Sequence, residues 1–124
     1  MRYFIGLIFF LSVLIAQVTD KNFKDKTGSG FVVVTFTSEW QEQELDPAIL
    51  KGVKGHEDAV LITVKSEDTK KICKKLRLRN FPSIALFHEG SKKEVWKADM
   101  DGVVDVNNKE IKKAISNAIA GDVF

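Results

Sequence analysis

The chain has 124 residues, 44% of them hydrophobic and 29% charged, with 19 Lys and Arg against 17 Asp and Glu for a net charge of +2. That is one domain's worth of chain, long enough to bury a core without metals or disulfides, and its near-balanced charge excludes the basic character of a nucleic-acid binder. A single cysteine, Cys73, rules out an intramolecular disulfide.

Met1 and Arg2 lead into the uncharged apolar run "YFIGLIFFLSVLIA", which ends at Ala16 and is followed by polar "TDKNFKDK". A basic start, an apolar core and a small residue at the boundary predict a secretory signal peptide over residues 1–16, cut near Ala16–Gln17, followed by a single domain over 17–124. An uncleaved anchor is the alternative, although the run falls short of the roughly 20 residues that span a bilayer; a membrane partner is expected only in that case. Either way the remainder is expected in the secretory pathway, in the endoplasmic reticulum lumen or outside the cell. "AGDVF" is not a Lys-Asp-Glu-Leu-type retention signal.

"TDKNFKDK" predicts a short helix capped by Thr19 or Asp20 and closed by "TGSG". "FVVVTF" (31–36) is a run of β-branched and aromatic residues, as in a strand buried on both faces. A helix is expected from about Glu42 to Val53, with glutamates in its first turn and Gly52 or Gly55 at its end; Pro47 should bend it or mark its start. "AVLITV" (59–64) predicts a second buried strand. "DTKKICKKL" (68–76) predicts a helix with Ile72, Cys73 and Leu76 on its apolar stripe and lysines on its solvated face. Ser83–Phe87 and Glu94–Ala98 predict an antiparallel hairpin turning at His88–Ser91. The last helix has Asn107 and Glu110 as a capping box, a stripe of Ile111, Ala114, Ile115, Ala118 and Ile119, and Gly121 as its stop. This order implies a mixed sheet with helices on both faces and a parallel first pair of strands.

"VTDKNF", "VVVTFTSEW", "FPSIALFHEG" and the C-terminal amphipathic helix, in this order and spacing, resemble a thioredoxin-fold domain of the protein disulfide isomerase type. The resemblance implies a three-layer α/β/α sandwich with a mixed central sheet and a cis-proline, Pro82, before one strand. It places the family's first strand on "LIAQV" and implies a peptide-binding role for Trp40, Phe81 and Pro82, since the kink leaves the backbone at residue 81 free to pair with an extended chain. In that family Cys-x-x-Cys follows the Trp at a helix N-terminus, where the dipole lowers the first thiol's pKa. Here Gln41, Glu42, Gln43 and Glu44 follow Trp40, so the turn reads as degenerate and no catalytic residue is expected. Thr35 stands where the family keeps a buried acid. The stretch from Trp40 to Pro47 is about two residues short of the family's. Cys73 matches a position where several such domains keep a buried, non-catalytic cysteine.

His56 and His88, both in predicted loops, give no zinc spacing with Cys73, and "KADMDGVVDVNN" lacks the carboxylates of a calcium loop and reads as a turn. Neither metal nor cofactor is expected. The leading expectation is a redox-inactive domain that binds a polypeptide client or a protein partner, in a chaperone-like or scaffold role. The alternatives are a thiol oxidoreductase using Cys73 or a partner's cysteine, and a structural subunit of a larger lumenal or membrane complex.

Overall fold

A computed structural model describes residues 18–123. The expected signal peptide and residues 14–17 of the edge strand expected on "LIAQV" (14–18) lie outside the described residues; Val18, its last residue, is buried in the core and is not in a strand. Four strands form one sheet in the order β2-β1-β3-β4. They are β1 (Phe31–Thr37), β2 (Val60–Lys65), β3 (Ser83–His88) and β4 (Ser91–Trp96). β1 pairs parallel with β2, in register Val32 to Val60, and antiparallel with β3, which pairs antiparallel with β4. The helices are α1 (Phe23–Thr27), α2 (Lys70–Lys75) and α3 (Asn108–Val123).

Period-two alternation along β1 divides the core in two. Val32, Val34 and Phe36 face Phe23 of α1 and Cys73 of α2, joined by Leu76, Leu78 and Phe81. Phe31 and Val33 face Ile111 and Ile115 of α3. Phe23 bridges strands, lying 6.0 Å from Phe36 and 5.3 Å edge-on from Phe87. The sandwich of helices on both sheet faces, the parallel first pair and the cis Phe81–Pro82 bond are as expected.

The helix expected over 42–53 does not form. Asp46 is extended (ψ 120°), as a residue before proline tends to be, and the chain makes only a 3-10 turn, Pro47–Leu50. Proline starts that turn, as one of its two expected roles required, and Asp46 caps it by accepting from the Ala48 N–H at 3.0 Å. Glu42 and Glu44 therefore start no helix. Leu45, Ile49, Leu50 and Val53 still pack beneath α3.

Smaller corrections have local causes. β2 is not buried on both faces: of its residues only Val64 is buried, because among the described residues no strand lies on its outer side. The hairpin turns on Glu89 and Gly90 alone, both with positive φ (50° and 83°), as a two-residue turn between twisted strands requires. β4 thus starts at Ser91, and His88 ends β3, stacked 4.0 Å from Phe31, rather than lying in a loop. α1 begins at Phe23, and Asp20 instead accepts the Lys71 and Ile72 N–H groups of α2. Asn107 accepts the Glu110 N–H at 2.9 Å as expected, but α3 continues through Gly121.

Candidate functional site

Ser38 to Glu44 follow the C-terminal end of β1, an interior strand, with Trp40 beside the Phe81–Pro82 bond that precedes β3. Trp40 is 68% exposed and stands edge-on to Phe81, with ring centroids 6.2 Å apart at 86°. The two aromatics are brought together as expected, but with unequal roles. Phe81 is 7% exposed and its ring belongs to the core, so only its backbone is placed to meet another chain. Pro82 is fully buried. Neither the N–H nor the C=O of Phe81 makes a hydrogen bond among the described residues.

Side chains hold the turn after Trp40. Gln41 Oε1 accepts the Ser38 N–H at 2.8 Å, and its Nε2 donates to the Gln43 carbonyl at 3.0 Å. Gln43 Nε2 donates in turn to the Asp101 carbonyl at 3.3 Å. Glu42 and Glu44 are exposed and enter none of these bonds. Asp101 sits in a tight loop in which the Asp99 carboxylate accepts the N–H groups of Asp101 and Val103. The "KADMDGVVDVNN" segment is therefore a turn before α3, with its first aspartate spent on backbone.

Glu67, which no motif singles out, anchors the other side of the turn. Its Oε2 accepts from Ser38 Oγ at 3.0 Å and from the Glu39 N–H at 3.3 Å, while Oε1 is buried without a partner. Its own backbone N–H holds its pKa below the usual carboxylate range; burial opposes this, and the Glu39 N–H and the Ser38 and Ser66 hydroxyls support it. Cys73 is buried, as its place on the apolar stripe implies. Burial pushes its thiol up, the Thr69 hydroxyl 3.7 Å away opposes this, and Asp20 and Glu67 add to the rise. A protonated, buried thiol is a poor nucleophile.

Between Trp40 and α2 lies a cleft of about 820 Å³, whose walls include Glu67, Lys70, Lys74, Arg77, Leu78 and Arg79. The periodicity of α2 places its lysines on a solvated face and does not show that Trp40 stands opposite them.

An exposed aromatic beside a cis-proline, at the end of the central strand of a mixed sheet flanked by helices, defines a thioredoxin-like α/β domain. The thioredoxin family profile matches residues 14–117, and the chain belongs to that family. Among solved structures it is similar to Plasmodium falciparum thioredoxin (18% identity over 80% of this chain and 93% of that one, TM-score 0.59). It is also similar to Malassezia sympodialis thioredoxin (19%, 80% and 87%, TM-score 0.56). The first two thioredoxin domains of Naumovozyma dairenensis Eps1p match at 19% identity over 79% of this chain and 38% of that one, TM-score 0.57. Among curated proteins none matches.

Proposed function

We propose that this chain is a thioredoxin domain of the protein disulfide isomerase type that works without thiol chemistry, binding extended polypeptides or a protein partner in the secretory pathway. The observation that carries the reading is the turn after Trp40. It holds no sulfur, and glutamine side chains, not a helix, fix its shape. A thiol placed there would have no α-helix N-terminus to stabilise its anion.

Two features support binding. Trp40 offers a large, exposed apolar surface, and the unbonded backbone of Phe81 offers a donor and an acceptor to an extended chain. Burial of Cys73 weighs against the oxidoreductase alternative. The secretory address rests on Arg2 and the apolar run that follows it. Binding of this kind needs no cofactor.

The test is titration of the purified chain with a fluorescent, reduced and alkylated unfolded polypeptide, beside Trp40→Ala. Saturable binding that Trp40→Ala weakens supports the reading. Reduction of insulin disulfides faster than a Cys73→Ala control would overturn it. Phe81→Ala is a poor probe, because emptying a core aromatic site costs about 3–5 kcal/mol of stability.

A further inference from the structure

We infer that the cleft between Trp40 and α2 takes an acidic polypeptide segment, with one apolar side chain seated between Trp40 and Leu78. This rests on the polypeptide-binding reading and names the chemistry of the polypeptide. Lys70, Lys74, Arg77 and Arg79 line one continuous cleft, and among the described residues none of their heads enters an ion pair. The one carboxylate in the lining, Glu67, already has one oxygen bonded to Ser38 and Glu39. Four cations against the single carboxylate of Glu67, around apolar Trp40, Cys73 and Leu78, leave the cleft net positive and complementary to a chain of alternating acidic and apolar residues. Arg77 also lines a second recess of about 540 Å³ with Lys75, Lys92, Lys97 and one carboxylate, Glu94, so a net positive surface continues toward β4.

The backbone of Arg77 points the same way. α2 closes with the Leu78 N–H donating to the Cys73 carbonyl at 2.9 Å and with Arg77 left-handed at φ 59°. Glycine is the usual occupant of that position, and an arginine there holds strain. The strained residue is the one shared by both recesses. A membrane surface fits this face less well: among the described residues the other large exposed apolar side chains, Val60, Met100 and Val103, do not line the cleft, and Trp40 is the one exposed apolar anchor in it.

Fluorescence anisotropy on the purified chain tests this with two labelled peptides of equal leucine spacing, one with glutamates between the leucines and one with glutamines. The glutamate peptide is expected to bind about tenfold tighter or more, and added salt is expected to erase the difference. Lys74→Glu with Arg77→Glu should abolish the preference. Arg77→Gly, which relieves the left-handed backbone, should raise Tm while lowering the preference, so that loss of binding cannot be laid to misfolding. Equal binding of both peptides, still dependent on Trp40, would overturn the inference and leave polypeptide binding standing. Binding of neither would overturn both, and capture by phosphatidylserine vesicles without a peptide preference would overturn the inference in favour of a lipid headgroup.

Discussion

Gln43 and Asp101 are 58 residues apart in the chain, yet the side-chain amide of the first donates to the main-chain carbonyl of the second at 3.3 Å. The bond ties the turn after Trp40 to the loop beside Phe81. It crosses between the two segments that frame the proposed polypeptide site. Gln43→Ala should cost less than about 0.5 kcal/mol, because both partners are exposed and water replaces the bond. The expected change is kinetic and local: amide hydrogen exchange at residues 41–44 and 100–102 should speed up with core protection unaltered. Unchanged exchange at both segments would show that the bond carries no mechanical load.

Gly102 stands on the other side of that loop. Its φ is 79°, and a Cβ there would sit 3.2 Å from the Phe81 carbonyl oxygen. Gly102→Ala therefore meets left-handed strain of about 1–2 kcal/mol together with a close contact against backbone. Urea denaturation should show a lower midpoint at unchanged slope. Because the displaced atom is the Phe81 carbonyl, the variant should also weaken unfolded-polypeptide binding more than Trp40-independent controls of equal stability.

How much of this could be read in advance differs by element, and the reasons are physical. β1, β3 and α3 were legible because their burial is decided locally: the continuous apolar runs of 31–36 and 83–87 and the stripe through Ile111 and Ile115 leave one arrangement that hides them. β2 has much the same composition as β1, but its burial depends on what lies beyond its outer edge, which is a matter of topology. Residues 42–53 suggest a helix through glutamates suited to a first turn and Gly52 or Gly55 suited to its end, while Pro47 and the extended Asp46 break the backbone that would carry it. Trp40 and Phe81 could be paired only through the family resemblance. The Gln43–Asp101 bond, the Glu67 anchor and the basic cleft join distant segments, and no local pattern announces them. Arg77 ran against the local rule, since glycine is what the end of a helix such as α2 leads one to expect.

Cys73 should behave as a core side chain. Alkylation of the native protein should be slow and should track unfolding. The raised thiol pKa carries a sign. Below the ordinary thiol value of 9.0 both folded and unfolded states hold the proton; above it the unfolded chain loses its proton first. Stability should therefore fall as pH rises from that value through the higher folded one, and Cys73→Ala should flatten this part of the profile in chemical denaturation at alkaline pH. Rapid labelling of the folded protein at neutral pH would contradict the buried placement.

Glu67 predicts the opposite limb. Its folded pKa lies below the ordinary value of 4.5, held there first by its own backbone N–H and then, against burial, by the Glu39 N–H and the Ser38 and Ser66 hydroxyls. As pH falls, the unfolded chain takes up its proton first, so the contribution of this carboxylate is fully present above 4.5 and is lost as pH drops through the folded value. The loss should be local, because the groups released are Ser38 Oγ and the Glu39 N–H beside Trp40. The Glu39 amide resonance should titrate with a midpoint below 4.5, and Glu67→Gln should remove that titration while leaving the β1 amides unmoved. A Glu39 resonance that titrates in the same way in Glu67→Gln would assign the effect to another carboxylate and break the link between Glu67 and the position of Trp40.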